Sequence, residues 1–311
     1  MIVAHRRPEP GDQRTNIART SHRTGAARLS GMSDRRLLLV HAHPDDEATA
    51  TGATIARYCA EGASVTLVTC TSGELGEVVA DDLAHLRGDP DALGEHRRGE
   101  IRAALAELGE VRHRWLGGPG RFRDSGMAGA DGNGAPGAFA AADPAEVTRA
   151  MVEVLRAERP HVVITYDEHG GYGHPDHIAA HRAVMSALDP AADPDHAPEL
   201  GAAWQVPKVY WTVLPRSILK RVEEAGVEGF EPYTVPDEEL TAVLDGRDFH
   251  AAKIAALRRY RSQVDLDDGG FFATVVQRPE FAVEHYLLVR GERGPGSGPN
   301  GWEDDLFAGL G

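Results

Sequence analysis

The chain has 311 residues, 41% hydrophobic and 26% charged, enough for one large α/β domain or a domain with an appended subdomain. Its formal net charge of −15 argues against a general nucleic-acid binder, whose surface must neutralise phosphates. No apolar run approaches the roughly 20 residues of a membrane span, and no apolar stretch follows the first arginines as it would in a signal peptide.

Residues 1–31 carry six Arg against Glu9 and Asp12, are rich in Gly, Ser and Thr, and show no period. They read either as a disordered leader or as sequence upstream of a true start at Met32. From residue 35 onward, apolar runs alternate with helical patterns. "RLLLVHA" predicts a buried strand and is followed by a helix from about Glu47 to Glu61, with Ile55, Tyr58 and Cys59 on one face. "SVTLVTCT" is a second β run, closed by the loop "SGELGEVV". "GEHRRGEIRAALAELG" is amphipathic through Ile101, Leu105 and Leu108, and "VRHRWLGG" is a short strand. The Gly- and Ala-rich stretch from about 120 to 142 reads as a loop too small and polar to pack a core. "DPAEVTRAMVEVLRAERP" has an Asp-Pro helix entry, and "HVVITY" and "PKVYWTVL" are continuous runs typical of strands covered on both faces.

This alternation predicts an α/β, Rossmann-like, mostly parallel sheet flanked by helices, with ligands outside the carboxyl ends of the strands. The expected organisation is a leader over 1–31, an α/β catalytic core over 32–213, a smaller C-terminal α+β layer over 214–290 that walls the site, and a flexible tail over 291–311. Within the C-terminal layer, "DDELTAVLDG" and "EHYLLVRG" predict strands on either side of the helix "DFHAAKIAALRRYRSQV". Cys59 and Cys70 have no C-x-x-C spacing, which speaks against a disulfide scaffold or a cysteine zinc site and makes a reducing cytoplasm the default.

Two strand ends are crowded with titratable groups: "HAHPDDE" after the first strand and "TYDEHGGYGHPDHIAAH" after a later one. Singly, a His after a strand is a solvated loop residue, and Asp-Asp before a helix is a pair at the positive end of its dipole. Two such clusters, brought together across one cleft, reverse that reading. His43 and Asp46 straddle a turn into a helix, and His177 at the start of another completes a His-Asp-His set for a borderline divalent metal. Three protein ligands leave a coordination position open for water, as in catalytic zinc sites. Asp45 stands beside the set as a proton acceptor and His174 on the far side as a donor. Zn2+ is the expected ion, with Fe2+ suited to the same donors. His85, His96, His113 and His285 are read as ordinary loop or surface residues, and His169 and His181 stay outside the predicted site.

At these residues the chain resembles the LmbE-like zinc N-deacetylases, which hydrolyse N-acetyl groups from amino sugars. "TCTSGELGEV", "GGPGRFRDSGM" and "TYDEHGGYGHPDH" are similar to the branch acting in mycothiol biosynthesis, on N-acetylglucosaminyl-inositol. The resemblance implies zinc on His43, Asp46 and His177, Asp45 as general base, His174 as acid or electrostatic stabiliser, and Tyr172 as a holder of the oxyanion. It further implies that Arg97, Asp124 and Glu77 line the sugar and inositol pockets, and that the partner is a small amino sugar rather than nucleic acid or membrane. The related mycothiol S-conjugate amidases resemble a pattern with Lys three residues after the Glu of "HPDDE"; Ala50 stands here and favours the deacetylase. Where the family's later helix usually has His two residues before "SQ", this chain has Tyr260. A non-catalytic, metal-dependent sugar-binding module remains the alternative outside enzymes; it would have no need of Asp45.

Overall fold

The computed structural model describes residues 34–224 and 232–310. The leader expected over 1–31 lies outside the described residues. The strands are β1 (Arg36–His41), β2 (Ser64–Thr69), β3 (Val111–Trp115), β4 (Val162–Tyr166), β5 (Lys208–Thr212), β6 (Leu214–Pro215), β7 (Thr234–Val235), β8 (Ala242–Asp245) and β9 (Val283–Arg290). The helices are α1 (Asp46–Ala60), α2 (Pro90–Leu108), α3 (Pro144–Glu158), the single turn α4 (Gly170–Gly173), α5 (Pro175–Ala192), α6 (Arg216–Glu224), α7 (His250–Leu257) and α8 (Phe271–Val276).

Seven strands form one sheet in the order β3-β2-β1-β4-β5-β9-β8. The first five are parallel, and β9 and β8 continue the sheet antiparallel. The continuous apolar run of β1 follows from burial on both faces. Leu37 and Leu39 pack with Ile55, Tyr58, Ile101 and Leu105 under α1 and α2. Leu38 and Val40 point the other way, to Met151, Leu155, Val184 and Leu188 of α3 and α5. Asp89 and Asp143 cap α2 and α3 by accepting the Ala92 and Ala145 N–H groups at 3.0 Å, each ahead of a Pro at the first helical position.

The chain winds from β1 outward through β2 to β3, then returns to lay β4 on the opposite side of β1. The β1/β4 border is therefore the switch in strand order where doubly wound sheets bind ligands. Leu38 pairs with Val163 and Leu39 with Ile164, so the strands run in register and release their two polar loops side by side.

Three expectations change. The C-terminal segment is no separate layer: β8 and β9 extend the main sheet, and α7 packs on α1 and α2, because their apolar residues join the same core. The stretch 120–142 does contribute to a core, since Phe122 and Phe139 are buried with their ring centroids 5.3 Å apart. The tail is anchored at its end. Glu303, Leu306 and Phe307 are buried, and Lys208 donates to Glu303 at 2.6 Å and to the Ala308 carbonyl at 2.6 Å.

Candidate active site

β1 ends at His41, and the chain turns through Pro44 and Asp45 into α1. Asp45 has φ 114°, a left-handed conformation that a non-glycine residue adopts only under constraint. The turn drives His43 and Asp46 inward, where both carboxylate oxygens of Asp46 are engaged. Oδ2 accepts the His43 N–H and the Tyr166 hydroxyl, each at 2.8 Å, and lies 3.3 Å from His43 Nδ1. Oδ1 lies 3.3 Å from His177 Nε2.

The loop after β4 supplies the facing wall. Asp167 Oδ1 accepts the N–H groups of His169 and Gly171 at 2.9 Å, folding the chain into α4. Gly170 takes φ 66°, and a Cβ there would meet His177 Cβ at 2.7 Å, so only glycine permits this approach. His174 caps α5, its Nδ1 accepting the Asp176 N–H at 3.1 Å. Tyr172 stands at the rim, 44% exposed, with its ring centroid 5.0 Å from that of His177.

Hydrogen bonds around the imidazoles decide which nitrogen each presents. His177 Nδ1 lies 3.2 Å from the Gly170 carbonyl, which can only accept, so Nε2 keeps its lone pair. That Nε2 is buried without a hydrogen-bond partner among the described residues. His43 Nε2 lies 3.2 Å from Asp176 Oδ2, leaving Nδ1 turned toward Asp46. Asp176, fully buried, is gripped in turn by Ser125, whose N–H donates to Oδ2 at 2.8 Å and whose hydroxyl donates to Oδ1 at 2.5 Å. One ring nitrogen of each imidazole facing one carboxylate, with carboxylate and carbonyl acceptors behind the rings, is an arrangement of donors that suits a divalent cation. The ring nitrogens of His43, His174 and His177 also lie within 4.8 Å of one another, as do donor atoms of His43, Asp124 and Asp176. The residues present fit a metal ion.

Burial raises the Asp45 carboxyl to about 6, against the opposing pull of Arg97, while the Asp46 carboxylate adds to the rise. Burial also opposes ionisation of Asp46, yet the adjacent His177 and His43 hold its pKa well below the usual range. His174 is lowered to about 4 by burial and by the neighbouring His43 and His177. Two adjacent acids in one turn are thus driven in opposite directions, Asp46 held ionised and Asp45 raised toward neutral pH.

The structure brings His43, Asp45, Asp46, Tyr172, His174 and His177 together as the sequence predicts. Arg97 and Asp124 lie in the wall of the same cluster, both buried and bonded within the protein. Arg97 donates to the Gly73 carbonyl at 2.7 Å, the Pro44 carbonyl at 2.5 Å and Asp45 Oδ2 at 3.0 Å; its buried Nε has no partner among the described residues. Gly73, at φ 68°, makes room for this guanidinium, which lies 2.1 Å from where a Cβ would stand. Asp124 accepts the Leu75 N–H at 3.1 Å and the Gly126 N–H at 2.8 Å, and lies 3.6 Å from His43 Nε2. Glu77 is not brought in. It is exposed, and Glu74 is the buried acid of that loop, accepting the Asp124 N–H at 3.0 Å. Sequence reasoning missed Tyr166 and Ser125. Both lie inside quoted motifs, Tyr166 in "TYDEHGGYGHPDH" and Ser125 in "GGPGRFRDSGM", but nothing in the residues themselves marks either as a partner of the site acids.

Known proteins carry the same chain pattern. The family model described as PIG-L, GlcNAc-PI de-N-acetylase, matches residues 38–188. A protein of Saccharopolyspora erythraea named 1D-myo-inositol 2-acetamido-2-deoxy-alpha-D-glucopyranoside deacetylase 2 is 76% identical over 273 residues, covering 88% of this chain and 100% of that protein. The deacetylase of the same name, without the numeral, from Geodermatophilus obscurus is 52% identical over 292 residues, 89% of this chain and 98% of its own. Among solved structures, the N,N'-diacetylchitobiose deacetylase from Pyrococcus horikoshii superposes with a TM-score of 0.60 at 19% identity, over 83% of this chain and 84% of that one, a likeness of fold. With relatives this similar along nearly nine-tenths of its length, the chain belongs to the PIG-L, or LmbE-like, N-deacetylase family.

Proposed function

We propose that the chain hydrolyses the N-acetyl group of N-acetylglucosaminyl-inositol (1D-myo-inositol 2-acetamido-2-deoxy-alpha-D-glucopyranoside), giving glucosaminyl-inositol and acetate in mycothiol biosynthesis. The deacetylase relatives support this substrate. The observation that carries the chemistry is the unpartnered, buried His177 Nε2 facing Asp46 and His43, with Asp45 constrained beside them.

His43, Asp46 and His177 would hold a metal ion, which we assign as zinc, the same donors also suiting ferrous iron. When bound, the ion supplies Lewis acidity that polarises the acetyl carbonyl and makes water acidic enough to attack near neutral pH. Asp45 accepts the proton of the attacking water, its carboxylate aimed by Arg97. Attack at the carbonyl carbon gives a tetrahedral species whose negative oxygen is stabilised by hydrogen bonds from the Tyr172 hydroxyl and the His174 ring. Because His174 Nδ1 accepts a backbone N–H, the ring acts as the neutral Nε2–H tautomer and contributes a donor rather than a cation. The proton taken by Asp45 is then the one delivered to the nitrogen as the C–N bond breaks, releasing the amine and acetic acid, whose remaining proton passes to the amine or to solvent to leave acetate.

Arg97 and Asp124 shape this pocket from behind. The exposed side chains of Tyr172, Tyr233 and Met127 offer the outer surface on which a sugar can rest. Tyr233 is tied to the site loop by its N–H on the Gly171 carbonyl at 2.7 Å. No helix among the described residues is long and apolar enough to cross a membrane, and both cysteines are free, so we place the activity in the reducing cytoplasm.

The test is direct. Metal-loaded protein is incubated separately with N-acetylglucosaminyl-inositol, N-acetylglucosamine and a mycothiol S-conjugate, and released primary amine is measured. Fastest release from the inositol glycoside is expected. No amine from any of the three overturns the reading, and a preference for the S-conjugate moves the chain to the amidase branch.

A further inference from the structure

The mechanism leaves unused the last residue of "HPDDE". Glu47 is completely buried, directly behind the base, where a carboxyl group without partners would be costly. Its two oxygens have separate duties. Oε2 accepts the backbone N–H of Asp45 at 3.2 Å, and Oε1 accepts the hydroxyl of Tyr260. Tyr260 is itself fully buried, just beyond α7. It is fixed from both sides: its N–H donates to Leu257 O at 3.1 Å, and its carbonyl accepts the N–H groups of Gln263 and Val264 at 2.9 and 2.8 Å. A residue more than two hundred positions downstream thus reaches the first turn of α1.

What this contact restrains is the most constrained peptide of the site. A non-glycine residue at φ 114° is strained, and such a conformation persists only where several contacts over-determine it. On the outer side, Arg97 grips the Pro44 carbonyl and the Asp45 carboxylate. From α1, the Thr49 N–H takes the Asp45 carbonyl at 2.9 Å. The Asp45 N–H has Glu47 as its partner. Without that acceptor, the peptide is free to relax toward an ordinary conformation and swing the carboxylate away.

We infer that Glu47 and Tyr260 form a positioning pair: the Tyr260 hydroxyl locks the Glu47 carboxyl group, which holds the Asp45 N–H and so keeps the base aimed at the attacking water. Both side chains are fully buried, and among the described residues neither hydrogen-bonds to a side-chain donor atom of His43, Asp46 or His177. The inference rests on Asp45 being the base, so Asp45→Asn belongs in the same experiment. Tyr260→Phe keeps the ring in the core and removes only the hydroxyl; it should lower kcat about tenfold while KM stays within about twofold and bound metal is unchanged. Glu47→Gln, whose amide oxygen can still accept the Asp45 N–H, should retain more activity than Glu47→Ala. Adding Tyr260→Phe to Glu47→Ala should cost nothing further, because the hydroxyl acts only through the carboxyl group. Should Glu47→Ala fail to fold, Tyr260→Phe alone carries the test, since it removes one hydroxyl and leaves the core intact. The pairing is overturned if Tyr260→Phe keeps full kcat while Asp45→Asn is crippled, or if its loss follows metal content or KM. If Asp45→Asn itself keeps full kcat, it is the assignment of the base that fails.

Discussion

Two buried ionic clusters in this molecule invite comparison. One is the site at the β1/β4 border; the other joins β5 to the C-terminal tail through Lys208, Tyr210 and Glu303. Lys208 and Glu303 are as deeply buried as His43 and His177. In the tail cluster the bonds close on themselves: Lys208 Nζ donates to Glu303 Oε1 and Ala308 O, and the Tyr210 hydroxyl donates to Glu303 Oε2, all at 2.6 Å. The Gly294 N–H takes Glu303 Oε1 at 2.6 Å as well. At the border, by contrast, His177 Nε2 and Arg97 Nε have no hydrogen-bond partner among the described residues, Asp45 is held at φ 114°, and two adjacent acids are driven apart in pKa. The tail also has a buried Trp302 Nε1 without a partner and Asn300 at φ 57°, so neither buried charge nor any one of these features separates the two. Their combination around facing imidazoles and carboxylates at the β1/β4 border does.

Substitutions should separate the two clusters by what is lost. The largest effect is expected from His177→Ala, which should reduce bound metal and kcat/KM by more than the roughly 10–100-fold that outer-shell changes cost, with metal analysis and amine release as readouts. Full metal content in that variant would remove His177 from the ligand set. Asp45→Asn should keep its metal and lower kcat by about 10²–10⁴. In the tail, Lys208→Met leaves Glu303 buried without its counter-charge and should cost about 3–5 kcal/mol in urea denaturation, with kcat of the folded fraction unchanged. A loss of kcat without a loss of stability would mean that the tail serves the site. Ser125→Ala removes the hydroxyl from Asp176 Oδ1 while the backbone N–H stays on Oδ2, loosening the acid behind His43, and competition with a chelator should show metal affinity weakened by about 10-fold. Glu77→Ala should be the smallest: with an exposed side chain, KM should stay within about twofold. A tenfold rise in KM would instead restore Glu77 to the sugar pocket.

The sheet and the tip residues were legible because both depend on short-range pattern. "RLLLVHA" and "HVVITY" are unbroken apolar runs since β1 and β4 are covered on both faces, and a run of that kind carries its own signal. The loop 120–142 was misleading because only Phe122 and Phe139 insert among small residues, too few to set a period. The tail was misread for a related reason: its Gly/Pro composition is that of a loose segment, while its order comes from Lys208 and Tyr58, which are remote in the chain. Leu306 N–H donates to the Tyr58 hydroxyl at 2.7 Å across 248 positions.

The sequence by itself determined the fold class, the strand ends that bear chemistry and the identity of the ligand candidates, because composition, period and the two His-Pro-Asp clusters are local properties of the chain. Only the tertiary structure decided how the donors are used. That Arg97 braces Asp45, that Ser125 grips the acid behind His43, that Glu77 faces solvent and Glu74 does not, and that Tyr260 reaches Glu47 all depend on distances between segments far apart in sequence. Which lone pair an imidazole offers is set by the acceptor on its other nitrogen, and that acceptor is placed by the fold.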